Sequence, residues 1–494
     1  MKQGIDHIRP VRGKMKNVAA RKKTPEEQVL PYRPEKANHI FGLFFFLFSW
    51  ALYGNTITRH TPADSFLIPG KQIMQPLVNL IFSIEQYLWG MNTIFCHLFN
   101  VMIYAFLSML VFFTLKRLLK DYNILFPFLI ALVFMVHPVH TEVVANLNYR
   151  GELLASFCGI SSLWFLLNYL ERKKNGFLVF ASLIFICGYL CNSSVLTFLL
   201  LYFLVFYFFT GLPAKKYLPL MLIILVAAYT IHYFLQFVYF PPTRMTGYTD
   251  NPLFVEKGLQ VRFNSGWSTL LFYLRILSYP VPLLYYYGYN EIPVINPSFF
   301  RVVLSMSLFF IFLTIAILKF RKREFISFSI FWFFLAILPY SNVFFPVSGI
   351  VGERYVFTAS LGFCMALVAF IFFFFQANPR SLTLEIDARL KILAVIILFL
   401  IPYATLTVKR NHDWRNLDNL YSHDIRHLEK SVQANIDIST YYLNRSDTVK
   451  GIRYLEKAAA LWPDPVRYMK LSDLLNHRGE KQRADYYRRL GENK

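Results

Sequence analysis

Charge is scarce in this chain. Only 16% of its 494 residues are Asp, Glu, Lys or Arg, well below the roughly 25% of an ordinary soluble domain. Acidic residues are the scarcer kind, 29 against 51 basic ones. The short alternating segments of a transmembrane barrel are missing as well, which argues against that architecture. Cysteine is rare: Cys96, Cys158, Cys187, Cys191 and Cys364 all fall in or beside apolar runs. Cys187 and Cys191 share a helix face, but no His or second Cys pair completes a metal set. All five read as small buried apolar residues. No small-residue cleavage site follows the first apolar run, Phe41 to Ala51, so that run is expected to stay in the membrane as a signal anchor.

What the chain has in abundance is hydrophobic residues, 56% in all, with 52 Phe. Apolar runs long enough to cross a bilayer recur along it, and spanning backbone must satisfy its own hydrogen bonds, which favours helices. The expectation is an all-α polytopic membrane protein of about eleven spans, at 38–54, 93–115, 123–137, 152–170, 176–191, 194–211, 217–238, 302–319, 325–341, 355–375 and 391–408. The net charge of +22 would suit nucleic acid, but its placement points elsewhere. Lys116, Arg117 and Lys120, then Arg172 to Lys174, Lys215 and Lys216, and Arg321 to Arg323 fall in alternate loops on the side of the basic N-terminus. The positive-inside rule makes that side cytoplasmic. The apolar stretch Trp267 to Tyr279 contains Arg275 and would invert the later loops if it spanned. It reads as an interfacial or re-entrant helix on the outer face.

Three regions follow. Residues 1–37 form a basic cytoplasmic tail, with ten Lys or Arg against four Asp or Glu. Residues 38–408 form the transmembrane domain. Residues 409–494 are polar with helical periodicity and lie outside. There, Tyr454, Ala458 and Leu461 share a face, Tyr487 lies 33 residues after Tyr454, and Ala484 lies 33 after Gly451. That interval is near the tetratricopeptide period; a generic helical hairpin explains it about as well.

Four polar clusters lie on the outer face: NTITRHTPADSFLIPGK (55–71) with Asp64; HPVHTEVVANLNYRGE (137–152) with His137, His140, Glu142, Arg150 and Glu152; the Tyr-rich PLLYYYGYNEIP (282–293); and PYSNVFFPVSGIVGERYVF (339–357) with Glu353 and Arg354. Each has a plain structural reading beside a functional one. The histidines can cap a span and, without a third ligand, give no metal site. Glu353 and Arg354 can form an internal ion pair. Tyr285, Tyr286 and Tyr287 can anchor the interface. A transferase using a lipid-linked donor would need a carboxylate base and cations for the leaving phosphate here.

The strings HPVHTEVVANLNYRGELLA, LPYSNVFFPVSGIVGERYVFTASLGF and KRNHDWRNLDNLYSHD resemble the transmembrane-and-tetratricopeptide-repeat family of O-mannosyltransferase-like proteins and its bacterial relatives, over most of residues 40–494. The resemblance implies a GT-C fold, a polyprenyl- or dolichyl-phosphate sugar donor, outer-face chemistry and a juxtamembrane helix at 76–90. The sequence also departs from the family pattern. Asp-Asp becomes Ala63-Asp64, Tyr-Arg-Pro-Leu becomes Met74-Gln75-Pro76-Leu77, and Arg-Asp-Glu becomes Arg150-Gly151-Glu152. Lys-Glu becomes Asn192-Ser193, and Asp-Tyr becomes Tyr286-Tyr287. His137, His140, Glu142, Arg150, Glu353 and Arg354 are kept.

Two functions therefore stand side by side. In the first, the glycosyltransferase site is degenerate and the protein is a membrane scaffold or a subunit of an envelope complex, without a cofactor. In the second, it is an active transferase, with Asp64 as base, Arg150 or Arg354 near the phosphate and a polyprenyl-phosphate sugar as donor. A transporter lacks support, since no inverted repeat of broken helices is present. The expected partners are membrane lipid, other membrane or periplasmic proteins at the C-terminal helices, and anionic lipid, a cytoplasmic partner or ribosomal RNA at the tail. The compact loops and short repeat region suggest a bacterial inner membrane, with the C-terminus periplasmic.

Overall fold

The computed structural model describes residues 34–57, 75–90, 92–211, 214–235, 247–289, 291–292 and 297–492. The basic tail up to residue 33 and Asp64 lie outside the described residues. The chain divides into Met1–Phe41 and Gly42–Lys494; the first unit includes the opening turns of α1, and the rest of this description concerns the second.

Among the described residues every regular element is helical. The order begins α1 (Pro34–Tyr53), α2 (Pro76–Trp89), α3 (Thr93–Leu118), α4 (Leu125–Val136), α5 (Thr141–Ala145), α6 (Arg150–Arg172) and α7 (Asn175–Cys191). It continues with α8 (Thr197–Phe209), α9 (Ala214–Tyr233), α10 (Leu259–Ser278), α11 (Phe299–Phe320), α12 (Phe325–Ile337), α13 (Phe357–Phe374) and α14 (Ile386–Asp413). It closes with α15 (Leu417–Asp424), α16 (Val432–Asn444), α17 (Thr448–Leu461), α18 (Pro465–His477) and α19 (Lys481–Glu492). Among the described residues there is no strand beyond one antiparallel bridge between Tyr287 and Val351.

Among the described residues, five helices are long and apolar enough to cross a bilayer: Thr93–Leu118, Leu147–Arg172, Phe299–Phe320, Glu353–Phe374 and Ile386–Asp413. A sixth is the bent pair Leu125–Val136 and Pro138–Ala145, at 53°. The bend has a cause in sequence, since Pro138 has no N–H to donate and drives His137 out of the helical region; His137 sits at ψ 123°. The expected spans 176–191, 194–211, 217–238 and 325–341 fall on the shorter apolar helices Asn175–Cys191, Ser193–Phe209, Leu222–Tyr233 and Phe325–Tyr340, and 38–54 falls on α1.

Local chemistry sets several boundaries. Pro76 opens α2 and Gly90, at φ 65°, closes it. The Asn92 side chain accepts from Ile94 N at 3.1 Å and caps α3. Helices α12 and α13 pack as an antiparallel hairpin through Gly362, where a Cβ would lie 2.5 Å from Phe333 N; a glycine is what allows two backbones this close. Two expectations need correcting. The outer-face helix read from Trp267 to Tyr279 starts earlier, at Leu259, because the polar residues Gln260, Arg262 and Asn264 masked its first turns. Cys187 is exposed on α7 rather than buried, since that helix turns one face outward with Leu183, Ile186 and Leu190.

After α14 the helices pair as α16 with α17 and α18 with α19. Helix α18 begins 33 residues after α16, and α19 begins 33 after α17. Ile452, Leu455, Ala459, Tyr468, Leu471, Leu475 and Ala484 form a core shared by α17, α18 and α19. A second cluster, including Ala145, Trp414, Leu420, Tyr421, Ile438 and Tyr441, joins α14 to α16 with the end of α5.

Candidate functional site

Arg150 opens α6 and is fully buried. Its Nη1 reaches Glu85 Oε2 on α2 at 2.7 Å, its Nε donates to Asn100 Oδ1 on α3 at 2.7 Å, and its Nη2 donates to the Cys96 carbonyl at 2.8 Å. The Phe82 ring lies 4.2 Å from the guanidinium carbon. Expected near a donor phosphate, Arg150 instead ties three helices together, and all three of its nitrogens are occupied by protein.

Glu353 and Arg354 do not pair with each other, although they adjoin in sequence. Arg354 turns to Glu142: its backbone N donates to Oε2 at 2.7 Å and its Nη1 to Oε1 at 2.8 Å. Its guanidinium is also sandwiched between the rings of Tyr149 and Tyr355, at 4.5 and 4.4 Å. Glu353 turns the other way. Its Oε1 accepts from Leu284 N and from Tyr287 Oη, both at 2.9 Å. Burial first, and then the Glu353 carboxylate, push the Tyr287 phenol well above its ordinary pKa, so it stays a donor.

The Tyr-rich stretch is a row of anchors. Tyr286 Oη donates to Asp250 Oδ1 at 3.0 Å, and Tyr285 N donates to Asp424 Oδ2 at 2.7 Å. Asp424 in turn receives both arms of Arg410, at 2.8 and 2.9 Å. Burial by itself would raise the Asp424 pKa; the charge of Arg410, with bonds from His423 and Tyr285 N, overcomes it and holds the carboxyl below its usual range. The row thus links Glu353 in the bundle to α15.

The two histidines are equally committed. His137 Nε2 meets the Leu277 carbonyl at 3.0 Å, and its ring lies against Tyr403 at 4.8 Å. His140 Nδ1 meets Tyr104 Oη, and its Nε2 meets Ser360 Oγ, each at 2.8 Å. Among the described residues, no group of three His, Cys, Asp or Glu could hold a metal ion.

No protein-family model matches the chain, and no solved structure does. Curated proteins do. The protein O-mannosyl-transferase TMTC1 of Homo sapiens is 22% identical over 474 residues, covering 84% of this chain and 50% of that protein. TMTC3 of Mus musculus is 25% identical over 436 residues, covering 79% and 45%. TMTC4 of Homo sapiens is 25% identical over 467 residues, covering 81% and 59%. The chain is similar to these protein O-mannosyl-transferases along about four fifths of its length. It spans about half the length of the curated relatives it matches. It is a glycosyltransferase-like, multi-pass membrane protein.

Set against the pattern of the family, three departures meet at one place. A Cβ on Gly151 would lie 2.6 Å from Gln75 Oε1 and 2.7 Å from the Cys191 carbonyl. The resemblance implies Asp in place of Gly151 and Arg in place of Gln75; in this chain two neutral residues lie side by side there. Asn192 and Ser193, which stand for a Lys-Glu pair, continue directly from Cys191; the Asn192 side chain accepts from Ser194 N at 2.8 Å. Glu152 lies beside Asn192 and Ser194 and within electrostatic reach of Arg354. Losing one member of a buried pair leaves an uncompensated charge, whereas losing both is far cheaper.

Sequence reading missed Glu85, Asn100, Asp250, Arg410 and Asp424. Glu85 had a detectable signal, as the one acidic residue in the apolar α2. Arg410 and Asp424 stood inside the family string but had no assigned role.

Proposed function

We propose that this protein is a GT-C-type membrane protein with a neutralised transferase site, acting as a membrane scaffold or as a subunit of an envelope complex. The observation that carries this reading is the contact of Gln75 with Gly151, where the family pattern would place a charged pair. The commitment of Arg150, Glu142, Arg354 and Glu353 to internal bonds supports it. The end bearing the basic loops is taken as cytoplasmic, which makes the Glu142–Arg354 face and α15 to α19 periplasmic. The 33-residue recurrence of these helices suits a tetratricopeptide-like surface for a protein partner.

The rival reading is an active transferase with Asp64 as base. Purification from native membranes separates the two. The intact chain and Asp64→Ala are expected to bring down the same partner in equal amount, and removal of 432–492 to release it. A partner lost in Asp64→Ala, or none in any preparation, contradicts the scaffold.

A further inference from the structure

The end of the bundle opposite the Glu142–Arg354 pair holds a cavity of about 570 Å³, within the roughly 300–1,000 Å³ of small-molecule sites. Its floor is aromatic. Phe126 on α4 meets Phe325 on α12 and Phe372 on α13 edge to face, at 5.1 and 5.0 Å. Its rim is polar and includes Glu324, Gln376, Asn378 and Arg380. The loop that forms the rim is strapped to the α3–α4 connection. Asn123 N donates to the Pro379 carbonyl at 2.8 Å, and Asn123 Nδ2 donates to the Ser381 and Leu382 carbonyls at 3.1 and 2.9 Å. Asn378 Oδ1 accepts from Arg380 N at 3.0 Å. The opening is therefore held by hydrogen bonds and does not depend on side-chain packing alone.

Charge indicates what fills it. The three connections around the opening, 116–124, 319–324 and 375–385, carry eight Lys or Arg against three Asp or Glu. Glu324 faces the cavity but is matched by Lys319, at 3.0 Å. Arg380 lies over the Tyr122 ring at 5.1 Å, with Nη2 3.3 Å from its hydroxyl, and is exposed. A guanidinium steered by an aromatic ring, amide groups beside it and an apolar floor beneath it match an anionic phosphate carried on an acyl chain.

We propose that this cavity binds one anionic phospholipid, its phosphate on Arg380 with Gln376 and Asn378, and its acyl chain over Phe126, Phe325 and Phe372. The site is independent of the transferase question, since it lies at the other end of the bundle. Native mass spectrometry of the protein from nanodiscs containing equal phosphatidylglycerol and phosphatidylcholine tests it. The intact chain is expected to retain one phosphatidylglycerol in preference to phosphatidylcholine, and Arg380→Glu about fivefold less. Ala369→Trp, which fills the cavity, is expected to lose the lipid while leaving Arg380 in place. Added inorganic phosphate is expected not to displace it. Equal retention of both lipids, retention unchanged in Arg380→Glu, or displacement by phosphate alone overturns the proposal. Arg380 is a surface residue, so its variant tests the site even if Ala369→Trp does not fold.

Discussion

Arg150→Met is expected to destabilise the protein by about 3–5 kcal/mol, because it leaves the Glu85 carboxylate buried without its partner. Glu85 is 4% exposed and Arg150 0%, so water cannot replace what is lost. The double variant Arg150→Met/Glu85→Leu removes both charges and is expected to recover much of that loss. Thermal unfolding in detergent, run as a double-mutant cycle, reads the coupling. A fully additive double variant would mean that the Arg150–Glu85 pair carries no coupling energy. The same cycle reports on α2, which Glu85 fixes to the bundle and which otherwise turns Leu80, Ile84 and Leu88 outward.

The second large effect is expected at Arg410. Arg410→Ala removes a bidentate partner from Asp424 and leaves that carboxylate buried, again at about 3–5 kcal/mol. Arg410→Lys is expected to rescue little, since an ammonium cannot make both parallel bonds. The loss is local. Hydrogen exchange is expected to rise in α15 and in 284–287, where Asp424 holds Tyr285 N, and to stay unchanged in α12 and α13. Acid is expected to act in the same place. The Asp424 carboxyl lies below its usual range in the folded protein, so its contribution is whole above the unfolded value. The contribution falls as the pH drops through that value and is gone below the folded one. The protection of Tyr285 N, corrected for the intrinsic pH dependence of exchange, should therefore fall on acidification in the intact chain, and Asp424→Asn should abolish that change.

How far the sequence discloses this structure depends on the range of the interaction. Helix positions are local, set by apolar runs and by punctuation such as Asn92 and Pro138: each of the eleven expected runs overlaps a helix, although only five helices, or six with the bent pair, are long and apolar enough to cross a bilayer. The polar strings also pointed to residues that become buried. Their partners could not be read, because pairing is long-range. Arg150 finds Glu85 across 65 residues, Arg354 finds Glu142 across 212, and Tyr285 finds Asp424 across 139. Adjacency in sequence misled for Glu353 and Arg354, which point in opposite directions from one short turn. The contact between Gly151 and Gln75 is long-range in the same way, and neither position discloses it alone.

On the proposed reading, the polar residues around Glu142 and Arg354 hold the fold together and do not carry out sugar transfer. Its most direct test is hexose transfer from radiolabelled polyprenyl-phosphate donors in proteoliposomes containing the intact chain, with Asp64→Ala as the control. Counts at the protein-free background are expected for both. Transfer above background in the intact chain that disappears in Asp64→Ala would contradict it.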